Sequence, residues 1–286
     1  TQGGVLLPGL ILEGGTFRPI FSCGVMDALL DNDLMFDYVI GVSAGIADGV
    51  SYLSRQRGRN LDIVVQYRND SRYMGVSNFA RCGSLFGLDF VYGEIPDRLI
   101  PFDWDAFRKY PGRAYAVVTN AKTGKPEYLD TRYMDGKFTM LRATCALPLL
   151  FPAIRIGANE YFDGGLCDSI PIRRALADGS QRNLIVLTRP EGYRKELTRG
   201  NKLAAARIRK KYPALVDPLL NRHTMYNEQV DFCEKLARED PANTVLIRPE
   251  ISYDSFEKNV ETLKKMWQDG YDMAQSRMSE IRTLFV

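Results

Sequence analysis

The sequence predicts an α/β fold in which a mostly parallel central sheet carries helices on both faces. Short, continuous apolar runs are typical of strands that are buried on both sides, and segments with helical spacing separate them. This alternation is the pattern of a doubly wound sheet. The chain has 286 residues, of which 45% are hydrophobic and 26% are charged, so it can bury a large core in an α/β domain.

The first elements are predicted from apolar runs and from the glycines that end them. Val5–Glu13 is a buried strand that enters a tight turn at Gly14-Gly15, and Phe36–Ile40 is a second short strand. Pro19–Asp31 has helical spacing, with its proline in the first turn, where proline is tolerated. Ile46–Gln56 is predicted to be the helix that follows the second strand.

The later elements continue the alternation and end in a helical region. Ala114–Thr119 is a predicted strand with Glu127–Leu129 returning beside it, and Arg155–Phe162 is a predicted hairpin. Apolar runs predict two further parallel strands, and helical spacing predicts a helical stretch between them and one long final helix. These segments are Leu184–Thr188, Thr244–Ile247, Gly192–Asp240 and Phe256–Leu284.

Composition and charge argue against several classes of protein. A net charge of +3 is too small to indicate nucleic-acid binding, and no stretch of about 18 apolar residues predicts a transmembrane helix. The first residues lack a basic n-region followed by an apolar h-region with a cleavage site, so they predict no secretory signal. The five cysteines are scattered without a C-x-x-C motif, which suits reduced thiols, so we expect a cytoplasmic protein. They are Cys23, Cys82, Cys145, Cys167 and Cys233.

Ser43 lies in a G-x-S-x-G motif, Gly41 to Gly45, between a predicted strand and a predicted helix. This is the setting of a nucleophile elbow, in which a sharp turn projects the serine from its apex. A Cβ atom at either glycine would collide with the neighbouring strand or helix. The alternative is a serine that caps the helix in a glycine-rich turn.

Gly14 and Gly15 follow the first strand directly and open the first helix. Bare backbone N–H groups in such a turn form an anion-binding nest, which in a serine hydrolase would serve as an oxyanion hole. Arg18 would add positive charge there, or it is simply solvated or paired with an acid. Dinucleotide binding is disfavoured, because the turn is not G-x-G-x-x-G.

Two residues are candidates for the base that a serine nucleophile needs. His223, the single histidine, could complete a Ser-His-Asp triad, but its surroundings predict an amphipathic helix, where a histidine is more often a surface or packing residue. Asp163 ends a short strand and precedes Gly164-Gly165, so it could point into a cleft; the alternative is an Asp-Gly turn. Its carboxylate would need desolvation, which the apolar segment Ala146–Ile154 could supply.

Four blocks in fixed order resemble the bacterial patatin-like phospholipases. They are "LEGGTFRPIFSCGVMDALL", "GVSAG", "ATCALPLLFPAI" and "DGGLCDSIP", and they span about residues 10 to 175. The resemblance implies a three-layer α/β/α patatin-like fold with a helical C-terminal extension. We therefore expect a catalytic core over residues 1–190, followed over residues 191–286 by a helical extension or lid with one further core strand.

The resemblance also implies a mechanism and a set of site residues. Ser43 would be the nucleophile and Asp163 the base of a dyad without histidine. The oxyanion hole would come from Gly14, Gly15 and Thr16. Beyond the resemblance, we expect the Ala44 N–H group to assist the oxyanion hole and Arg18 to support the anionic end of the site. The implied activity is acyl hydrolysis of lipid esters, with no metal and no cofactor.

Two departures from the family's pattern bear on that activity. Thr16 and Pro19 stand where the family usually has glycines. The Thr16 side chain would crowd the oxyanion hole, whereas Pro19 lacks an N–H group that is dispensable at a helix start. These departures leave open a second hypothesis, a non-catalytic module that binds lipid or a partner on the same scaffold.

Two charged segments lie outside these motifs. Arg194–Lys211 is strongly basic, and with Leu203, Ala206 and Ile208 it predicts an amphipathic helix that could touch anionic lipid headgroups; a solvated basic helix is the alternative. The segment "DNDLMFD" lacks the glycine and distal glutamate of a calcium loop, so we expect no metal there. Nucleic-acid binding is disfavoured, because no stacking aromatics accompany the basic residues.

Overall fold

The central sheet of the protein has eight strands. The structure, a computed structural model, describes residues 7–286, so the predicted strand start at Val5 and Leu6 lies outside the described residues. The strand order is β5-β6-β3-β2-β1-β7-β8, with β4 paired to β3 outside this path. The strands are β1 (Pro8–Leu12), β2 (Tyr38–Val42), β3 (Arg113–Asn120), β4 (Pro126–Asp130), β5 (Ile154–Ile156), β6 (Asn159–Asp163), β7 (Arg182–Val186) and β8 (Thr244–Ile247).

The sheet is parallel through its centre and antiparallel at one side. Strands β3, β2, β1, β7 and β8 pair in parallel. Strand β4 returns antiparallel to β3, and β5 and β6 form the predicted hairpin. The central strands are almost wholly buried runs, as expected for strands that are covered on both faces. The prediction of a mostly parallel α/β sheet is confirmed.

The position of β6 matters most for the candidate site. Strand β2 pairs with Arg113–Val117 on one edge of β3, and β4 pairs with Tyr115–Thr119 on the other edge. Strand β6 pairs with Val118–Asn120, beyond the point where β2 has ended. It therefore takes over the edge of β3 that β2 leaves. Asp163, the last residue of β6, lies opposite Val118, next to the turn that follows β2.

Eleven α-helices lie within residues 7–286, and they cover both faces of the sheet. One face packs on α1, α2, α10 and α11, and the other packs on α7 and α9. The helices are α1 (Ile20–Asp31), α2 (Ala44–Leu53), α3 (Arg59–Tyr67), α4 (Ser77–Cys82), α5 (Trp104–Arg108), α6 (Thr139–Thr144), α7 (Ile172–Ala177), α8 (Arg199–Ile208), α9 (Val216–Glu239), α10 (Val260–Ser276) and α11 (Met278–Thr283).

The segment between α2 and β3 is an insertion for which the sequence predicted no elements. It contains α3, α4, a π-helix at Phe90–Leu99 with Pro96 inside it, and α5. Several side chains of this insertion, among them Phe90, Ile95 and Phe107, are buried in the core, whereas Val76 is 81% exposed. The insertion forms one wall of a pocket beside Ser43.

The C-terminal third is built into the sheet as well as onto it. Strand β8 extends the sheet beyond β7, as predicted. Helix α10 packs very closely on α1, because glycines meet backbone there: a Cβ atom at Gly24 would lie 1.9 Å from the Trp267 carbonyl oxygen, and one at Gly270 would lie 1.9 Å from that of Phe21. Only glycine permits such an approach of two helices.

Two predicted helices need correction. The single helix expected over Phe256–Leu284 begins at Val260, where the Asn259 side chain accepts a bond from the N–H of Thr262, and it is broken at Arg277 between α10 and α11. A continuous apolar periodicity does not show such a break.

The basic helix expected over Arg194–Lys211 is shorter, because α8 starts at Arg199. Its buried face consists of Ala204 and Ala205, whereas Leu203 is 49% exposed. The face of α8 that packs on the protein therefore differs from the face that carries Leu203, and the expected contact of this helix with lipid headgroups stays a prediction.

Candidate active site

Ser43 occupies a sharp turn between β2 and α2. Its backbone has φ 54° and ψ −132°, a combination that is sparsely populated for a residue with a side chain. The two flanking glycines make the turn possible. A Cβ atom at Gly41 would lie 2.9 Å from Ile46, and one at Gly45 would lie 2.7 Å from the carbonyl oxygen of Glu13. These contacts match the steric reason given for the motif from sequence.

The glycine turn after β1 lies beside the Ser43 turn, because β1 and β2 are parallel neighbours whose carboxyl ends lie side by side. A Cβ atom at Gly14 would lie 2.9 Å from that of Ser43. Within residues 7–286, the N–H groups of Gly14, Gly15 and Thr16 donate no intramolecular hydrogen bond. These three groups are therefore free to bind an oxyanion next to the serine.

Thr16 adopts a conformation that suits glycine better than threonine. Its φ is +57°, in the left-handed region, where a β-branched residue is strained. Gly15, before it, has φ +140°. The glycine that the family usually has at the Thr16 position therefore has a conformational reason. In this chain the turn keeps that conformation despite the side chain, and Thr16 lines the pockets on both sides of Ser43.

Asp163 lies at the end of β6 and is only 2% exposed. Its Oδ1 accepts a bond of 2.7 Å from the N–H of Gly165, and its own N–H donates to the Ala146 carbonyl oxygen at 2.8 Å. Burial raises the pKa of Asp163 above its ordinary value. The Arg222 charge, the Gly165 N–H and the nearby Ser43 hydroxyl oppose this rise by stabilising the carboxylate.

A threonine ties the serine turn to the sheet. The N–H of Ser43 donates to Oγ1 of Thr144 at 2.8 Å, and that hydroxyl donates to the Val117 carbonyl oxygen at 2.5 Å. Thr144 is the last residue of α6 and is fully buried. The Ser43 N–H is thereby occupied, so it is not available to bind another group.

Ser43 lies at the junction of two pockets of opposite character. The first pocket has a volume of about 130 Å³ and is mostly apolar, although Asp48, Arg59 and Asn60 also line it. Its wall comes from α1, α2, the insertion and the segment after α6. It includes Phe17, Ile20, Val64, Tyr73, Phe86, Val91, Tyr92, Leu141 and Phe151. A pocket of this shape and chemistry fits a hydrocarbon chain.

The second pocket has a volume of about 360 Å³ and is rich in charged groups. Four cationic side chains line it together with two carboxylates, those of Glu13 and Asp163. The cations are Arg18, Arg189, Lys195 and Arg222. The two pockets share Thr16, Ser43, Leu147, Leu150 and Phe256, so they form one amphipathic cleft with Ser43 at its middle.

The structure brings most of the sequence-predicted site residues together. Ser43, Asp163, Gly14, Gly15, Thr16 and Arg18 all line the charged pocket, and Ala44 lines the apolar one. His223 lies on α9 and lines neither pocket, although Arg222 and Tyr226 of the same helix line the charged pocket. The arrangement thus offers Asp163, and not His223, as the group beside Ser43.

Several residues of the site were missed from the sequence. Thr144 lies inside a quoted motif block, but nothing local marks its hydroxyl as a tether. Cys145, the next residue, lines the apolar pocket, and burial followed by the Asp163 charge raises the pKa of its thiol to about 12. Arg189, Lys195 and Arg222 come from three separate segments, and only the tertiary fold shows that they meet.

Residues 7–286 contain no group of side chains that could bind a metal ion and no helix that could span a membrane. No three His, Cys, Asp or Glu side chains there form a group that could hold a metal ion. In the same residues, no helix combines the length and apolar character needed to cross a bilayer.

The fold and the turn at Ser43 define a class of protein: a three-layer α/β/α molecule with a serine at a strand-to-helix apex on the carboxyl edge of its sheet. A family model described as patatin-like phospholipase matches residues 10–176, more than half of the chain. The chain therefore belongs to the patatin-like phospholipase family, as the sequence motifs indicated. A second model, described as a domain of unknown function (DUF6363), matches residues 212–286.

Relatives share 24% and 28% identity with part of the chain. The chain is 24% identical over 188 residues to the uncharacterised protein YjjU of Escherichia coli, and 28% identical over 182 residues to lysophospholipase nte1 of Aspergillus terreus. These matches cover 63% and 57% of this chain, but only 52% of YjjU and 11% of the fungal protein. The crystal structure of VipD from Legionella pneumophila aligns with a TM-score of 0.47 at 14% identity, over 99% of this chain and 69% of VipD.

Proposed function

We propose that the protein is a serine acyl hydrolase that cleaves acyl chains from phospholipids or lysophospholipids. The single observation that carries the proposal is the position of Ser43 beside the buried Asp163, at the junction of an apolar and a cationic pocket. This cleft matches a lipid ester, whose acyl chain is apolar and whose alcohol part carries a phosphate. Membership of a phospholipase family and similarity to lysophospholipases support the same substrate class.

In the proposed reaction, the ester carbonyl lies over Ser43 with its acyl chain in the apolar pocket. Asp163 takes the hydroxyl proton as the Ser43 oxygen attacks the carbonyl carbon. The raised pKa of the Asp163 carboxyl makes it a stronger base than an exposed aspartate. The N–H groups of Gly14, Gly15 and Thr16 hold the negative oxygen of the tetrahedral intermediate.

The second half of the reaction reverses these roles. Asp163 returns its proton to the departing alcohol oxygen, which leaves Ser43 acylated. Asp163 then takes a proton from a water molecule, the resulting hydroxide attacks the acyl carbon, and the fatty acid departs as Ser43 regains a proton. Each proton moves through the same carboxyl, so no histidine is needed.

The test compares three variants on a p-nitrophenyl acyl ester. We expect Ser43→Ala and Asp163→Asn each to lower kcat/KM by about a thousandfold or more, because they remove the nucleophile and the base. His223→Ala, which removes the alternative base of a Ser-His-Asp triad, should keep most of the activity. A loss of about a hundredfold in His223→Ala would instead favour that triad.

Labelling with a fluorophosphonate probe separates an enzyme from a non-catalytic binding module. We expect the probe to modify Ser43 in freshly folded protein and to leave Ser43→Ala unlabelled. If the wild-type protein is not labelled, the dyad is inactive and the binding-module hypothesis is correct. The strained Thr16 in the oxyanion turn would then be the first residue to replace with glycine.

A further inference from the structure

The charged pocket next to Ser43 contains an unusual concentration of unpaired cations. Arg18, Arg189, Lys195 and Arg222 line it from four different segments of the chain. Within residues 7–286, none of their side chains forms an ion pair or a hydrogen bond with another side chain, whereas many surface arginines are paired with acids. Unpaired cations that face one cavity indicate a site for an anion.

Arg18 gives the clearest evidence that the site is built for a ligand. Arg18 is only 8% exposed, and its Nε atom is buried without a hydrogen-bond partner. It packs against Gly15, where an added Cβ atom would lie 2.9 Å from one of its terminal nitrogens. Burial, followed by repulsion from Arg189, lowers its pKa. A bound anion would relieve both the missing hydrogen bonds and the repulsion.

The other three cations are also held in place by their surroundings. The Arg222 guanidinium lies against Gly165, 3.0 Å from where a Cβ atom would be. Arg189 stacks over the Tyr193 ring at 4.1 Å from its centroid, and the Lys195 ammonium lies 4.9 Å from the centre of the Tyr226 ring. The backbone of Lys195 is fixed by two hydrogen bonds to the Asn227 side chain, of 2.8 and 2.9 Å.

The charge balance of the pocket selects among lipid head groups. Three arginines face two carboxylates together with Lys195, whose pKa is lowered to about 7 by burial and by the charges of Arg222 and Arg18. One of the carboxylates, Glu13, already accepts a bond from the Thr188 N–H. A phosphate monoester, with a charge near −2, matches the excess of positive charge. A choline head group would bring a further positive charge close to the basic side chains that line the pocket. It would also find the faces of Tyr193 and Tyr226 already covered by Arg189 and Lys195, so no aromatic cage is available for it.

We propose that Arg18, Arg189, Lys195 and Arg222 form a head-group pocket that selects lipid esters ending in a phosphate monoester, such as an acylglycerol phosphate, over zwitterionic phosphodiesters. This assignment rests on the proposed acyl hydrolysis at Ser43 and names its substrate class. The phosphate lies in the charged pocket, the acyl chain lies in the apolar pocket, and the ester between them lies over Ser43.

Kinetics on two lipids with the same acyl chain test the selectivity. We expect wild-type kcat/KM for oleoyl lysophosphatidic acid to exceed that for oleoyl lysophosphatidylcholine by about tenfold or more. Arg222→Met and Lys195→Met should each reduce this ratio by about tenfold, because each removes one charged contact with the phosphate. The loss should be smaller on a p-nitrophenyl ester, which has no phosphate.

Matched controls exist on α9. Arg238→Met and Lys235→Met remove exposed cations of that helix that line neither pocket, so the lipid ratio should not change. An equal or higher rate on the choline lipid in the wild-type protein would overturn the proposal. So would an unchanged ratio in both pocket variants. Two pocket variants from different segments keep the test valid if one of them does not fold.

Binding measurements separate this proposal from the proposed reaction. Calorimetry on Ser43→Ala protein measures the affinities of oleoyl lysophosphatidic acid, oleoyl lysophosphatidylcholine and inorganic phosphate without turnover, each lipid below its critical micelle concentration. We expect the lipid monoester to bind most tightly, and tighter than inorganic phosphate. Equal affinity for the two lipids overturns the pocket assignment even if hydrolysis is observed. Equal affinity for inorganic phosphate and the lipid monoester assigns the site to free phosphate and overturns the head-group role.

Discussion

At the scale of single residues, the sequence motifs identified much of the candidate site. G-x-S-x-G marks Ser43, and the structure reproduces the predicted steric need for glycine at Gly41 and Gly45. The Asp-Gly-Gly turn marks Asp163, and the structure adds a steric reason at Gly164, where a Cβ atom would lie 2.2 Å from the Val117 carbonyl oxygen. The catalytic roles of these residues remain proposals.

The cations of the charged pocket could not have been predicted in the same way. Arg189, Lys195 and Arg222 stand in ordinary local sequence, and a net charge of +3 for the whole chain gives no sign that they cluster. Their meeting depends on how β7, the loop after it and α9 pack together. The role of Thr144 could not be predicted for the same reason. Its hydroxyl bonds to the Ser43 N–H and to a carbonyl of β3, which are both distant in sequence.

Thr144 provides a test of how the Ser43 turn is held. Thr144→Val keeps the shape of the side chain but removes the hydroxyl that accepts the Ser43 N–H and donates to Val117. We expect kcat to fall about tenfold or more with little change in KM, because the serine loses its position rather than its substrate. The free energy of unfolding should fall by about 1–3 kcal/mol, since a buried N–H loses its partner.

The conservative variant distinguishes this positioning role from general packing. Thr144→Ser keeps the hydroxyl and should restore most of the rate of fluorophosphonate labelling at Ser43. If Thr144→Ser were as slow as Thr144→Val, the lost methyl group, and not the hydrogen bonds, would be responsible.

At the scale of secondary structure, the sequence predicted the elements whose pattern is set by burial on both sides. Strands β1, β2, β3, β7 and β8 are nearly continuous apolar runs, and all five were located to within a few residues. The insertion between α2 and β3 was not predicted, because its helices are short and its π-helix contains a proline and has no regular periodicity. Its apolar side chains line a pocket, which does not impose the single buried stripe of an amphipathic helix.

The crossing of α1 and α10 makes a quantitative prediction at this scale. Gly24→Ala and Gly270→Ala should each lower the free energy of unfolding by about 2 kcal/mol or more, because a methyl group would collide with the backbone of the other helix. Urea unfolding followed by circular dichroism measures the change. Gly93→Ala is the control, since a Cβ atom there meets nothing within 4 Å and should leave stability nearly unchanged. Equal stability in all three variants would mean that the two helices can separate without cost.

At the scale of the whole molecule, the candidate site draws on both matched regions of the chain. Ser43, Asp163 and Arg18 lie within the patatin-like match, whereas Arg222 and Tyr226 lie within the second match, and all five line the charged pocket. The family and the fold class inferred from the sequence are confirmed. The division at residue 190 remains a prediction. It cuts through one sheet, because β8 pairs with β7 and α10 packs on α1.

The stability of the whole molecule should depend on pH through a carboxyl in the apolar pocket. Burial raises the pKa of Asp48 from its ordinary value of 3.8 to about 7, although hydrogen bonding with Cys23 and the charge of Arg59 act in the opposite direction. Between these two pH values the folded state holds a proton that the unfolded chain has lost. The stabilising contribution of this proton is complete below pH 3.8 and disappears as the pH rises through about 7.

We therefore expect the free energy of unfolding to decrease from pH 5 to pH 8, and Asp48→Asn to reduce that decrease by about 1–3 kcal/mol. The comparison between variants isolates Asp48, because burial also raises the pKa values of Asp163 and Asp168, and these two groups contribute equally to both proteins. Urea unfolding at the two pH values provides the measurement. Asp97→Asn, which neutralises an exposed carboxyl in the π-helix, should leave the pH dependence as it is in the wild-type protein. The same pH dependence in Asp48→Asn and wild-type protein would mean that Asp48 is ionised in the folded state, and the apolar pocket would then hold a charge beside the proposed acyl chain.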